Sequence, residues 1–145
     1  MVNSHKEQAL QRQLIHRNIG IGQIASYRLP AAGWVSILHR VSGALMFLLL
    51  PFVIWMFDTS LSSEVSYERF ASAFAAGVGA VPGWFVKLVA FALIWAYLLH
   101  FCAGLRHLWM DATHAVDLQF GRVSALVAIV LSSLVALALG AKLFF

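Results

Sequence analysis

The sequence predicts an all-α integral membrane protein with three transmembrane helices. Hydrophobic residues make up 61% of its 145 residues and charged residues only 11%, whereas an ordinary soluble domain has about 45–50% and about 25%. A soluble chain of this length could not bury so much apolar surface, and disordered chains are polar and highly charged. Cys102 is the only cysteine, which excludes a disulfide framework. The class that remains is an integral membrane protein.

Three apolar runs each approach the ~20 residues that a helix needs to cross the hydrocarbon core. They cover residues 41–57, 88–105 and 123–141, and the second run is interrupted only by His100. Trp and Lys side chains lie near their ends, as is typical of interfacial anchors. We therefore expect a polar arm over residues 1–33 and a three-helix transmembrane domain over 34–145, with spans at about 36–57, 85–108 and 122–142.

The connection between the first two spans is rich in Ser, Ala and Gly, and the pair Pro82-Gly83 marks a turn into the second span. We expect a short interfacial helix within it, over residues 67–74. The second connection, over residues 110–121, is shorter. No internal repeat and no low-complexity tract is present.

Basic residues predict the direction of the spans, because cytoplasmic segments carry an excess of Lys and Arg. Five lie at or before the start of the first span: Lys6, Arg12, Arg17, Arg28 and Arg40. This bias puts the N-terminus and the second loop on the cytoplasmic side of a bacterial inner membrane. The arm contains no apolar core of signal-peptide length, so no cleaved signal is expected. It is either solvated, or docked on a soluble partner or on anionic headgroups.

Ionisable residues in or at the edge of a membrane span are costly and are therefore candidates for function. Two groups qualify, and both lie at the cytoplasmic side of the predicted topology. The first is Ser-Ile-Leu-His-Arg-Val-Ser-Gly at residues 36–43, where the first span begins. The second is His-Phe-Cys-Ala-Gly-Leu-Arg-His at residues 100–107, where the second span ends.

The deepest of these residues is His100, which precedes His107 by about 10.5 Å along a helix. Ala96, Ala103 and Gly104 share its helix face. Small neighbours leave room for a flat macrocycle to approach the helix and bind the imidazole through its metal. They also suit close helix packing, with His100 hydrogen-bonded to a neighbouring helix. The spacing alone leaves both interpretations open.

Other polar residues also have two interpretations. His107 and His114 continue the seven-residue spacing, but two residues on one helix cannot supply opposite axial ligands to one haem iron, so we expect polar groups at a wet edge. Arg40 either snorkels to headgroups or joins Ser36, His39 and Ser42 in a donor-rich cluster for the polar head of an amphiphilic ligand. Cys102 is expected to be inert packing. No phosphate-binding loop, catalytic carboxylate pair or nucleophile-base arrangement predicts hydrolysis or group transfer.

The two motifs together resemble the cytochrome b membrane-anchor subunits of succinate dehydrogenase, respiratory complex II. The pattern is Ser-x-x-His-Arg-x-Ser-Gly at residues 36–43, followed by His-x-x-x-Gly-Leu-Arg-His-Leu-x-Met-Asp at residues 100–111. The resemblance also covers the chain length and the three-span layout, from about Tyr27 to the C-terminus.

The resemblance implies a site and a set of partners. His100 would be one axial ligand of a b-type haem, and a second small anchor subunit would supply the other. His39, Arg40, Arg106 and His107 would lie near the haem propionates, and Ser36 with Arg40 would line the site for ubiquinone, the substrate. The partners would be that second anchor, an iron–sulfur subunit, a flavoprotein subunit and membrane lipid, with no nucleic acid.

The function expected from this resemblance is a subunit of succinate:ubiquinone oxidoreductase, in electron transport and the tricarboxylic acid cycle, that is not catalytic by itself. The alternatives are the anchor of a quinol:fumarate reductase, whose direction the sequence does not encode, and a structural anchor without cofactor, which leaves His100 unexplained. A transporter subunit is disfavoured because there are no repeats, no broken-helix signature and no mid-membrane acid.

Overall fold

The computed structural model of the chain describes residues 20, 22, 26–115 and 117–144. These residues form helices and one short hairpin, in the order α1 (Ala31–Leu48), α2 (Leu50–Leu61), α3 (Glu64–Ala75), β1 (Gly77–Val78), β2 (Val81–Pro82), α4 (Gly83–Thr113) and α5 (Leu118–Phe144). The helices α1, α4 and α5 are long and apolar enough to cross a membrane. The predicted fold class is confirmed. Most of the predicted arm over residues 1–33, and any docking of it, lies outside the described residues.

The first apolar run is not one continuous helix, because it breaks between α1 and α2. Leu49 has φ −91° and ψ 3°, outside helical values, and Pro51 follows near the start of α2. A proline within a helix has no N–H to donate and its ring clashes with the carbonyl four residues earlier, here that of Phe47. Pro51 therefore accounts for the break, and the apolar helix α2 continues the run.

The connection to α4 is ordered by local hydrogen bonds and by a glycine with positive φ. Ser63 and Ser66 form a reciprocal capping box at the start of α3, which covers the short helix expected over 67–74. The antiparallel hairpin β1–β2 then leads directly into α4, whose N-cap is Pro82. Gly77 has φ +102°, and a Cβ there would collide with the carbonyl oxygen of Val81. The hairpin was not expected from the sequence.

Helix α4 packs against both α1 and α5, and α1 and α5 also contact each other. The buried face of α5 consists entirely of small residues: Ala125, Ala128, Ser132, Ala136 and Gly140. Small side chains let membrane helices approach closely. Gly140 of α5 packs so closely against the ring of Phe91 on α4 that a Cβ at this position would collide with the ring. A hydrogen bond from Trp95 Nε1 to Ser133 Oγ, 3.2 Å long, also joins α4 to α5.

The described part of the chain buries few large side chains and leaves many apolar ones exposed. Val35, Ala103 and Ala125 form a buried cluster where α1, α4 and α5 meet. In contrast, Phe47 is 75% exposed and Leu118 is 92% exposed. Exposed apolar surface on this scale requires lipid or protein partners to cover it.

The turn between α4 and α5 is short and capped at both ends. His114 ends α4 in the left-handed conformation, with φ 54°. Asp117 then accepts a hydrogen bond from the backbone N–H of Phe120 at 2.8 Å, which caps the first turn of α5. This turn places the end of α4 and the start of α5 beside the start of α1, so both sequence motifs lie at one end of the bundle.

Candidate functional site

The two motifs meet through a cluster of three histidines at the interface of α1 and α4. The rings of His39 and His100 stack with centroids 4.0 Å apart and planes 23° apart. His107 lies one heptad after His100 on the same face of α4, and its ring centroid is 5.4 Å from that of His39. The fold therefore brings together one histidine of α1 and two of α4, at the bundle end where the sequence motifs lie.

The imidazole of His100 is held through Nδ1. This atom lies 3.0 Å from the backbone carbonyl oxygen of His39 and 3.3 Å from Oγ of Ser42. Because a carbonyl oxygen can only accept, Nδ1 carries the hydrogen and donates it. In the neutral ring Nε2 then has a free lone pair, and no described residue donates a hydrogen bond to it. A donated Nδ1–H with a bare Nε2 is the arrangement in which histidine binds metals.

Of two glycines near the histidines, only Gly43 is needed to leave them space. A Cβ at Gly43 would lie 2.9 Å from Cε1 of His100, so no larger residue fits there without moving the ring. A Cβ at Gly104 would lie 3.8 Å from Nε2 of His39, which is ordinary van der Waals contact. The absence of a side chain at Gly43 therefore provides the space in which the ring of His100 lies, which we call its seat. The sequence predicts Ser42 as a member of the donor-rich cluster with Ser36, His39 and Arg40, but it assigns no role to Gly43, which follows Ser42 directly.

Nε2 of His39 is an unsatisfied buried atom. It is shielded from solvent and has no hydrogen-bond partner in the described part of the chain. A buried polar group without a partner costs about 1–3 kcal/mol. Such groups in native structures commonly mark a site for a water, an ion or a ligand. The unpartnered nitrogen therefore indicates that a group outside the described residues, such as a water, an ion or a ligand, completes this cluster.

Ser36 and Arg40 lie one turn apart on α1 and share a helix face. Ser36 is half-buried and Arg40 is exposed. Neither side chain makes a hydrogen bond to another described residue. A hydroxyl and a guanidinium are thus available to a ligand or partner beside the histidine cluster. Their positions fit a head group that carries carbonyl or anionic oxygens.

Arg106 is turned away from the three histidines. It follows His100 by six residues, which is about 120° around an α-helix. Its Nε donates to Oγ of Ser124 at 2.8 Å and its Nη2 donates to the carbonyl oxygen of Gly121 at 3.2 Å. Arg106 thus joins α4 to the first turns of α5. A guanidinium has five N–H donors, and those that Arg106 does not donate to Ser124 and Gly121 are available to a ligand.

His114 and Cys102 stand apart from the cluster. His114 is exposed in the turn that ends α4, and Cys102 is a half-buried free thiol. Among the described residues, no group of three or more His, Cys, Asp or Glu side chains converges as a metal-ion site.

Comparison with known proteins assigns the family. A model of the succinate dehydrogenase/fumarate reductase transmembrane subunit family matches residues 15–139. The chain is 29% identical over 109 residues to the succinate dehydrogenase cytochrome b556 subunit of Coxiella burnetii, covering 75% of this chain and 82% of that one. It is 29% identical over 93 residues to the subunit of the same name from Paracoccus denitrificans, covering 64% and 66%. The match to the Rickettsia prowazekii subunit is 23% identical over 130 residues, covering 90% and 96%. The chain therefore belongs to the family of succinate dehydrogenase/fumarate reductase transmembrane subunits.

Proposed function

We propose that this chain is the haem b-containing membrane anchor of a succinate:ubiquinone oxidoreductase. In this role it holds a flavoprotein subunit and an iron–sulfur subunit at the membrane and forms part of the quinone site. The observation that carries the proposal is the seating of His100, whose Nδ1 is 3.0 Å from the carbonyl oxygen of His39. A neutral imidazole with a free Nε2, at a membrane helix interface, is the donor that a haem iron requires.

His100 would hold the haem, which supplies a one-electron carrier when it is bound. A single chain with one such histidine supplies one axial ligand, so the second would come from another small anchor subunit. The proposal also accounts for Gly43, because its missing Cβ leaves the space that the seated ring occupies. An anchor without cofactor would leave both this seat and the buried, unpartnered Nε2 of His39 without a purpose.

The polar groups around His100 would bind the carboxylates of the haem. His39 and His107 lie within the same cluster, and Arg40 follows His39 directly. Arg106 would contribute only through the N–H groups that it does not donate to α5. Cations and ring N–H donors at one end of the bundle stabilise carboxylates where water is scarce.

Ser36 and Arg40 would bind the quinone head group. Quinone reduction adds two electrons and two protons, so negative charge develops on the ring oxygens during the reaction. The guanidinium of Arg40 stabilises that charge more than it stabilises the neutral quinone, which is the difference that lowers a barrier. Ser36 would donate a hydrogen bond to a carbonyl oxygen from one turn earlier on α1.

The orientation proposed for the chain puts its N-terminus and the α4–α5 turn in the bacterial cytoplasm. The site then lies near the cytoplasmic face, where the iron–sulfur subunit delivers electrons. The exposed apolar side chains of α1, α4 and α5 would contact lipid and the second anchor subunit. The family description covers both reaction directions, and the matched relatives named for succinate dehydrogenase favour succinate oxidation.

Purification from native membranes tests this function. An affinity tag on this chain should recover a flavoprotein, an iron–sulfur protein and a second small membrane subunit in equal amounts. The preparation should reduce ubiquinone with succinate and show a b-type haem spectrum on reduction with dithionite. A preparation with all four subunits but no haem would contradict the cofactor assignment. Recovery of this chain without flavoprotein or iron–sulfur subunit would contradict the anchor function.

A further inference from the structure

The buried hydroxyl of Ser42 lies at the contact between α1 and α4. Ser42 is 2% exposed, and among the described residues only Ser132 is a comparably buried polar side chain. Both hydroxyls donate to a carbonyl of the preceding turn, Ser42 to His39 at 2.9 Å and Ser132 to Ala128 at 2.7 Å. Ser42 differs because its oxygen also lies 3.3 Å from Nδ1 of His100, on another helix.

The directions of these hydrogen bonds follow from the number of hydrogens available. A serine hydroxyl has one hydrogen, and Ser42 uses it on the carbonyl oxygen of His39. Its lone pairs are then left to face Nδ1 of His100, which carries the ring hydrogen. That hydrogen has two acceptors, the His39 carbonyl at 3.0 Å and the Ser42 hydroxyl at 3.3 Å. The carbonyl is the main acceptor, since N–H···O bonds are usually about 2.7–3.2 Å long.

We propose that Ser42 is a positioning residue that fixes the imidazole plane and the tautomer of His100 from α1. This inference rests on the proposed function, in which Nε2 of His100 binds the haem iron. Ser42 restrains the ring in two ways: it accepts from Nδ1–H, and it holds the His39 carbonyl in place as the main acceptor. Gly43, the next residue, leaves room for the Nδ1–Cε1 edge of the ring, because a Cβ there would lie 2.9 Å from Cε1 and 3.3 Å from Nδ1.

Loss of the Ser42 hydroxyl should weaken haem retention without removing the axial ligand. Removing groups that orient a metal-binding histidine commonly costs about 10–100-fold in metal affinity. The lower end is expected here, because Nδ1–H keeps its carbonyl acceptor. The ring of His100 would also gain rotational freedom, so the orientation of its plane toward a bound haem would change.

The experiment uses the purified complex and four variants of this chain. Ser42→Ala removes the hydroxyl, Ser42→Thr retains it, and Ser132→Ala is the matched control for losing a buried hydroxyl that bonds its own helix. His100→Leu reports whether this histidine holds the haem. The two readouts are the rate of haem transfer to excess apomyoglobin and the g-values of the oxidised haem in electron paramagnetic resonance.

The proposal predicts about tenfold faster haem loss and shifted g-values for Ser42→Ala, with wild-type behaviour for Ser42→Thr and Ser132→Ala. Wild-type rates and g-values in Ser42→Ala, in a complex that loses its haem with His100→Leu, would overturn the role of Ser42 alone. A complex without haem, or one unchanged by His100→Leu, would overturn the proposed function as well. If Ser42→Ala does not assemble, Ser42→Cys decides by the same readouts, since a thiol of similar size is a weak hydrogen-bonding group.

Discussion

The carbonyl oxygen of His39 lies 3.0 Å from Nδ1 of His100, and their rings stack at 4.0 Å. This relationship joins the residue that precedes Arg40 on α1 to the deepest histidine of α4. The same contact therefore orients the ring of His100, including its free nitrogen. It lies directly beside Arg40, the residue that follows His39 on α1. A single interface between two helices links the proposed haem site to the proposed quinone site.

Replacement of Arg40 should separate quinone chemistry from assembly. Arg40→Leu removes a cation that favours charge developing on the quinone oxygens, and losing one such group commonly costs about 10²-fold or more in rate. Succinate-to-ubiquinone turnover should fall accordingly, while succinate oxidation by an artificial dye, which draws electrons from the soluble subunits, should persist. Parallel loss of dye reduction would indicate a role in docking, and normal values for both would indicate a simple interfacial anchor.

Ser36→Ala should impair the same reaction more mildly. A neutral hydrogen bond contributes less than a charge-assisted one, and Ser36 lies on the same helix face as Arg40. The expected result is a smaller fall in ubiquinone reduction, with normal dye reduction. A larger fall than in Arg40→Leu would contradict the assignment of Arg40 as the main stabilising group.

The direction of the spans can be measured with reporter fusions. A reporter that is active only in the periplasm should be active when fused at Ser62, between α2 and α3, and silent when fused at Ala115, in the α4–α5 turn. The reason is the concentration of Lys and Arg at and before the start of α1. The reverse pattern would place both motifs at the periplasmic face and contradict the proposed docking of the soluble subunits.

Arg106→Leu should loosen the connection between α4 and α5. The substitution removes two hydrogen bonds donated by a charged group, each worth about 1.5–3 kcal/mol where water does not replace it. The unfolding temperature of the detergent-solubilised complex should therefore fall. Arg122→Leu is the matched control, because Arg122 is exposed on α5 and carries the same charge at the same end of the bundle. Equal stability of the two variants would rule out the connecting role.

Two glycines of the hairpin should respond differently to alanine. Gly79 has φ +58° with open space around it, so Gly79→Ala should cost roughly 1–2 kcal/mol for the left-handed backbone. Gly77 has φ +102° and a Cβ there meets the Val81 carbonyl, so Gly77→Ala should lower the unfolding temperature of the complex further. Equal effects would contradict the hairpin geometry.

Much of the fold could be predicted from the sequence, because apolar runs of this length are typical of membrane-spanning helices and of little else. The apolar run over residues 41–57 predicts one span, whereas Pro51 inside it is the sequence signal for the break at Leu49. The β-hairpin has no such signal, because its strands are two residues each. It depends on the conformations of Gly77 and Gly79 rather than on an alternating pattern.

For the candidate site, the sequence predicts which residues share a helix face but not how the helices that carry them pack together. Helical spacing predicts that His100 and His107 lie on one face of α4. In the structure both of their rings approach the ring of His39. The stacking of His39 on His100 depends on how α1 and α4 rotate about their axes, which small residues on both helices allow but do not specify. The same holds for Arg106, whose partners Ser124 and Gly121 lie on a third helix.

The reduced-minus-oxidised absorption spectrum of the purified His100→Leu complex tests the central claim most directly. A leucine cannot bind iron, so the b-type signal should be lost or strongly perturbed, whereas the exposed His114→Leu variant should keep the wild-type spectrum. Equal assembly of both variants, measured by flavin content, makes the comparison valid. An unchanged bis-histidine spectrum in the His100→Leu complex would show that the axial ligand lies elsewhere and would contradict the account.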